Sequence, residues 1–190
     1  MVLPGHLAGG YLVTRGLLAI FHPGFSATEI DSLLIIGTLA GEFPDVDLIR
    51  LYFDNKPLDA KTTASKLTTD HRTYITHAPL LWLLISLSTV VIGYLCSSIF
   101  TEWIGWLILA GSWSHLLLDS IEYGVMWFWP FSKRRFVLKK EMPPENIDAR
   151  PGSLAHHFQY ITRVYMKTVT FWAEIIVTLA ALLAFLTSIK

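Results

Sequence analysis

The chain has 190 residues, of which 53% are hydrophobic, and its mean hydropathy is +0.48. This composition is too apolar for an ordinary soluble domain and favours a single membrane-embedded domain over residues 1–190. The formal net charge is zero, which gives no electrostatic reason to expect a nucleic-acid partner, and the single cysteine, Cys96, excludes a disulfide within the chain.

The first predicted element is an embedded helical hairpin over residues 4–42. Its first half, 4–21, is apolar but rich in glycine. Its second half, 28–42, gives only ~22 Å of helix at ~1.5 Å per residue. The sequence FHPGFS predicts the turn between them. Small residues four apart in GHLAG and GTLAG allow helix backbones to approach closely in lipid.

Three stronger segments follow, and each is close to the ~20 residues that cross ~30 Å of hydrocarbon. They are 79–100, 103–121 and 168–188, the last being the predicted C-terminal transmembrane helix. We expect a tight turn at residues 101–102 and an amphipathic surface helix over 154–166. The predicted fold is therefore an all-α, multi-pass membrane bundle with about five helical segments.

Positive charge sets the predicted orientation. Of the 15 Lys and Arg residues, five fall in residues 43–78 and eight in 122–167, whereas the connection at 101–102 has none. Because loops rich in Lys and Arg stay on the cytoplasmic side, both basic loops should face the cytoplasm. The sequence thus predicts a multi-pass membrane protein with both basic loops on the cytoplasmic side.

On that topology, four separate segments bring His or Asp to the cytoplasmic layer of the membrane. Ionisable side chains cost ~2.5–3.5 kcal/mol at the centre of a membrane helix, so such residues usually have a function. The candidates are His6; Asp45 and Asp47; His71 and His77; and His115 and Asp119.

These residue types suit a metal site. Imidazole with carboxylate favours Zn, Mn or Fe over Ca or Mg. His115 and Asp119, at i and i+4, share one helical face, so Asp119 either binds the metal or orients His115. An Asp-x-Asp in extended backbone would project Asp45 and Asp47 to the same side. Four His and three Asp exceed one tetrahedral site, which predicts either two or more ions or one ion with a catalytic carboxylate.

Two other interpretations stay open. A non-catalytic metal-binding protein, a carrier or a sensor, would use the same residues in a closed coordination shell. A proton- or ion-coupled transporter would use them as a relay, but it would need polar residues in the far leaflet, where the sequence has almost none. Glu174, a lone carboxylate in the last segment, receives no role.

Five motifs in order resemble one known family. GHLAGG, GEFPDVD, HRTYITHAP, SHLLLDS and YGVMWFWPFSKRRF, all within residues 1–137, are similar to the bacterial inner-membrane metal-dependent hydrolases, the YdjM-like family. The family pattern falls on the residues His6, Asp45, Asp47, His71, Arg72, Thr76, His77, His115 and Asp119. The chain departs from it at Ala78, where Ser is more frequent, and at SIEY, where the family often has a Ser or Thr pair.

The resemblance implies a membrane-bound metal-dependent hydrolase whose metal ligands are the seven His and Asp candidates. A more distant likeness, to the zinc-dependent phospholipase C and single-strand nuclease superfamily, implies zinc and a phosphoester substrate, such as a lipid reaching the interface. Asp45 and Asp47 would share catalysis with Arg72, which would bind a phosphate oxygen.

Overall fold

The computed structural model describes residues 3–47, 72, 74–139 and 154–188. Within these residues the chain is all-helical, with six α-helices and no β-strand, which confirms the predicted class. The helices are α1 Leu3–Phe21, α2 Ala27–Ala40, α3 Pro79–Leu95, α4 Ile99–Asp119, α5 Leu154–Gln159 and α6 Val169–Leu186. The short helix α5 lies within residues 154–166, the segment predicted as a surface helix, and is additional to the five predicted bundle segments.

Helix α4 is the centre of the bundle. It packs against α1, α2 and α3, and α1 also packs against α2 and α6. Helices α1 and α4 run antiparallel, because His6 contacts His115 at one end while Phe21 contacts Trp103 at the other. This antiparallel packing places His115 and Asp119 of α4 at the same end of the bundle as the start of α1.

The predicted helical hairpin over 4–42 is present and turns between Phe21 and Ala27. Ser26 caps α2, since its backbone N–H donates to Glu29 Oε2 at 2.8 Å and its hydroxyl accepts from the Glu29 amide. This is the reciprocal capping box that starts a helix. His22, in the turn, is exposed, as expected for a surface residue.

Close approach between helices depends on glycine, as the GTLAG motif predicted. A Cβ at Gly37 would lie 2.0 Å from Thr14 Oγ1, and a Cβ at Gly41 would lie 2.4 Å from the carbonyl oxygen of His6. In the GHLAGG motif it is Gly10 that meets α2, with a Cβ position 2.7 Å from the Gly37 oxygen. A larger residue at Gly37 would meet the Thr14 side chain, and one at Gly10 or Gly41 would meet backbone of the other helix, so glycine permits α1 and α2 to pack closely.

The turn between α3 and α4 lies earlier than predicted. The sequence predicts a turn at residues 101–102, but α3 ends at Leu95 and α4 already begins at Ile99. The Ser98 hydroxyl accepts from the Thr101 amide at 3.3 Å and so caps α4. Glu102 then falls in the first helical turn, where a carboxylate is stabilised by the helix dipole.

One described helix, α6, is both long and apolar enough to cross a membrane; α3 is apolar but shorter, with 17 residues. Helix α4 has 21 residues, but it carries Glu102, His115 and Asp119. By length and composition, the structure thus supports one of the three predicted spans, and the multi-pass arrangement stays a prediction. Glu122 caps α6, accepting from the Val169 and Thr170 amides at 3.1 and 2.9 Å.

Candidate metal centre

Four segments meet at one end of the bundle and form a buried cluster of imidazoles and carboxylates. Two are the N-terminal turn of α1 and the C-terminal turn of α4, and two are the short 3₁₀ helices Phe43–Val46 and Ile75–His77. The cluster contains His6, Asp45, Asp47, His77, His115 and Asp119. The structure therefore brings together six of the seven predicted ligands; the seventh, His71, lies outside the described residues.

His6 and His115 form the wall of the cluster nearest α1. Their rings are stacked with centroids 3.6 Å apart, and both side chains are fully buried. Asp119 Oδ1 lies 3.6 Å from His6 Nε2, and Asp119 Oδ2 lies 3.9 Å from His115 Nε2. Neither ring nitrogen of His6, nor Nε2 of His115, has a hydrogen-bond partner among the described residues. Because buried polar atoms without partners are costly, these nitrogens fit a bound cation.

His77 lies between two carboxylates. Its Nε2 is 3.2 Å from Asp45 Oδ1, and its Nδ1 is 3.3 Å from Asp47 Oδ2, which also accepts from the Thr76 hydroxyl at 2.7 Å. Asp45 Oδ1 is in addition 3.5 Å from His115 Nε2. Asp45 therefore lies between two imidazoles, whereas Asp47 contacts the opposite edge of the His77 ring.

The predicted extended conformation of the Asp-x-Asp sequence is wrong. Asp45 lies in a 3₁₀ helix with Pro44 in its first turn, and Asp47 has φ −68° and ψ −20°, also in the helical region. Proline is accommodated at a helix start, so it begins this helix instead of holding the chain extended. The two carboxylates consequently bracket His77 rather than point to one side.

A backbone carbonyl, Gly41 O, orients His115. The Nδ1 atom of His115 lies 2.7 Å from this oxygen, within hydrogen-bond distance. A proton donated from Nδ1 leaves the lone pair on Nε2 free to face the cluster, which is the usual arrangement of a metal-binding histidine. Asp119 therefore does not make the hydrogen bond that fixes the His115 ring, and instead faces the same space as His115 Nε2.

Arg72 is buried and forms an ion pair with Asp119. Its Nε donates to Asp119 Oδ2 and its Nη2 to Oδ1 at 3.3 Å, while the guanidinium lies 4.0 Å from the centre of the Tyr123 ring. A two-point contact of this kind fixes the orientation of a carboxylate. The predicted phosphate-binding role of Arg72 remains a prediction, and the observed contacts assign it the task of holding Asp119.

The charge balance of the cluster favours a cation. Among the described residues, Asp45, Asp47 and Asp119 lie near one guanidinium, that of Arg72, and three groupings of His and Asp have ligand atoms all within 4.8 Å of one another. These groupings are His6, Asp45 and His115; His77, His115 and Asp119; and Asp45, Asp47 and His77. Each can hold a metal ion, and they overlap at Asp45, His77 and His115.

The family follows from comparison with known proteins. A model of the YdjM inner membrane protein family matches residues 1–190, the whole of the chain. The chain belongs to the YdjM inner membrane protein family. The predicted membership is thereby confirmed, and the family's description agrees with the predicted inner-membrane location. No curated protein and no solved structure matches the chain. The likeness to the zinc-dependent phospholipase C superfamily stays a prediction.

One carboxylate beside the metal centre was not among the predicted ligands. Glu42, the second residue of GEFPDVD, is half-buried, and its Oε1 has no hydrogen-bond partner within the described part of the chain. Burial, and then the negative charge of Asp45, raise the pKa of Glu42 to about 8. A carboxyl group that titrates near neutral pH next to potential metal ligands is suited to moving protons. Glu42 lies two residues before the PDVD sequence, and this position is the sequence feature that could have identified it.

A second missed residue is Glu174, which connects α6 to the start of α1. Glu174 Oε1 accepts from the Gly5 amide at 3.1 Å, and Oε2 accepts from the Tyr165 hydroxyl. Gly5 precedes His6 directly, and a Cβ at Gly5 would lie 2.7 Å from Glu174 Cγ. Glu174 is only 7% exposed. It therefore fixes the backbone from which the His6 side chain reaches the centre.

We expect a Glu174→Ala variant to bind zinc about 10–100-fold more weakly than the unchanged protein, as for other groups that position a ligand. Glu174→Gln keeps an acceptor for the Gly5 amide and should recover most of the affinity. Zinc titration of the purified variants, with helix content checked by circular dichroism, measures both. Equal weakening in the alanine and glutamine variants would show that the hydrogen bond to Gly5 is not what matters.

Proposed function

We propose that this member of the YdjM family is a membrane-bound, metal-dependent hydrolase, a phosphoesterase whose centre faces the cytoplasmic side of the inner membrane. The observation that carries the proposal is the meeting of three buried imidazoles and three carboxylates from four segments, with ring nitrogens of His6 and His115 left without partners. Such a donor set suits zinc, and also manganese or iron.

The number of donors supports two neighbouring ions. A tetrahedral zinc site uses four ligands, whereas the cluster offers six residues in overlapping groups. Asp45 lies within 3.5 Å of both His77 and His115, so it would be a ligand available to either ion. Zinc bound there would supply Lewis acidity toward a phosphoryl oxygen and make a water molecule more acidic.

The chain's own residues then divide the remaining tasks. Asp47 and the Gly41 carbonyl orient His77 and His115 through their Nδ1 atoms. Arg72 holds Asp119 in place. Glu42, half-buried beside this cluster with its Oε1 lacking a hydrogen-bond partner among the described residues, would be placed to accept or return a proton.

The test is hydrolysis by the purified, zinc-loaded protein. We expect cleavage of bis(p-nitrophenyl) phosphate or of a phosphodiester lipid in mixed micelles, loss of activity with EDTA, and recovery on adding zinc. Mono- and diester substrates should be compared in parallel. A protein that holds zinc but cleaves none of these esters would overturn the catalytic proposal.

A second candidate function, a non-catalytic metal carrier or sensor, is favoured by one observation. The side chains of His6, His77 and His115 are all 0% exposed, as in closed structural sites. Bound zinc that exchanges with a chelator without any ester cleavage would support this function over hydrolysis.

A further inference from the structure

An apolar groove with a volume of about 530 Å³ lies between α1 and α4. Its walls include Leu17 and Phe21 of α1 and Trp103, Trp106 and Trp113 of α4. All seven residues that line it are apolar or tryptophan. Trp103 and Trp113 are ten residues apart, or about 15 Å along a helix. This is half of the ~30 Å hydrocarbon thickness and thus the depth of one leaflet.

The groove faces away from the metal centre. Trp106 and Trp113 are seven residues apart, so they share one face of α4, and Trp106 is 46% exposed. His115 follows Trp113 by two residues, which turns it about 200° around the helix axis. The groove is therefore a separate feature of the bundle.

A basic hairpin, residues 124–138, extends from the end of α4. Val125 and Phe136 exchange backbone hydrogen bonds of 3.0 and 2.9 Å, and the Leu138 amide donates to the Ser120 carbonyl. At its tip Phe128 and Phe131 are 69% and 94% exposed. The hairpin is thus a fixed structure that presents aromatic side chains outward.

Positive charge lies directly beside these aromatics. Lys133, Arg134 and Arg135 are consecutive, and the sequence has no acidic residue from 124 to 139. Arg134 and Arg135 line a second cavity, of about 490 Å³, together with Phe128 and Ser132. Arginine beside exposed aromatics is the combination that binds anionic headgroups at a membrane surface.

The groove and the hairpin are joined by two tryptophans. Trp113, at the end of the groove, packs against Trp127 of the hairpin with ring centroids 5.7 Å apart and perpendicular planes. Trp127 is adjacent to Phe128, which lines the cationic cavity. The hairpin surface that carries two guanidinium groups therefore lies next to one end of the apolar groove.

We propose that the groove and this hairpin surface together form a binding site for one anionic phospholipid. The acyl chain lies in the groove of α1 and α4, and the headgroup phosphate lies between Arg134 and Arg135, which match phosphate oxygens with paired N–H donors. The apolar groove matches the acyl chain of such a lipid and the cationic cavity matches its anionic headgroup, whereas a free phosphate would leave the groove unused. The site is independent of the metal centre, so it holds lipid with or without zinc.

The test is lipid binding by delipidated protein in detergent, measured by native mass spectrometry with phosphatidylglycerol and phosphatidylcholine. The unchanged protein should bind phosphatidylglycerol about tenfold more tightly. Arg134→Gln with Arg135→Gln should weaken phosphatidylglycerol binding more than phosphatidylcholine binding and so remove that preference. Ala110→Phe, which fills the groove, should weaken binding of both lipids about tenfold. Trp106→Ala, which removes a side chain that lines the groove, is a second variant for testing the groove.

Matched controls separate this site from general effects. Lys133→Gln removes charge from the same hairpin but not from the cavity wall, and Leu179→Phe enlarges an exposed side chain of α6. Both should bind lipid like the unchanged protein. Equal affinity of the unchanged protein for the two lipids, or a loss in Lys133→Gln as large as in the double variant, would overturn the proposal. Zinc content, measured in parallel, should not change in any variant.

Discussion

A His115→Ala variant is expected to retain less than about one tenth of the zinc bound by the unchanged protein, when both are loaded and dialysed in the same way. His115 belongs to two of the three groupings of metal-competent residues, so its removal weakens both positions. Its Nε2 is also a fully buried atom without a hydrogen-bond partner in the described chain, which is the state that a metal would relieve. Elemental analysis of the purified protein gives the stoichiometry.

His22→Ala is the matched control. His22 is exposed in the turn between α1 and α2, at the opposite end of α1 from His6, and its removal should leave zinc content unchanged. Wild-type protein with less than about 0.3 equivalents of any transition metal would contradict the metal centre itself. Equal zinc in the His115 and His22 variants would contradict the assignment of His115 as a ligand.

A Gly41→Ala variant is expected to be destabilised by about 1–3 kcal/mol or more and to lose zinc as well. The added Cβ would lie 2.4 Å from the His6 carbonyl oxygen and 3.1 Å from that of Thr38, both backbone atoms that cannot rotate away. Helices α1 and α2 would have to separate, which moves His6. The same displacement moves the Gly41 carbonyl that orients His115. Thermal unfolding in detergent measures the loss of stability.

For a Gly16→Ala variant, on α1, we expect no loss of stability. No atom lies within 4 Å of a Cβ at Gly16. Alanine is favoured over glycine in a helix interior by roughly 0.5–1 kcal/mol, so this variant should be as stable as the unchanged protein or more stable. A Gly41→Ala protein with the melting temperature and zinc content of Gly16→Ala would show that the close contact is not required.

Helices and their ends were largely predictable because their signals are local. Apolar runs located α1 to α4 and α6, and the turn between α1 and α2 followed from His22, Pro23 and Gly24. The predicted turn between α3 and α4 is misplaced because the polar pair TE resembles a connection, whereas Ser98 caps the helix three residues earlier. Ser98, a capping residue, is the sequence feature that indicates the true start of α4.

Candidate ligands were predictable as a set, since charged and imidazole side chains are conspicuous in an apolar sequence. The distribution of Lys and Arg placed all of them at one end, and the structure brings together those that it describes. The geometry of Asp45 and Asp47 was not predictable from the Asp-x-Asp spacing, because Pro44 begins a 3₁₀ helix there. The role of Arg72 likewise depended on Asp119, 47 residues away.

By itself, the sequence determined the all-α class, the approximate helices, the residues able to bind metal and the family to which the chain belongs. Only the tertiary structure decided which atoms meet. The Gly41 carbonyl reaches His115 across 74 residues, and Glu174 reaches Gly5 across 169. Such contacts depend on how each helix is rotated and how closely glycines let the backbones approach, and neither property is encoded in local helix propensity or hydropathy.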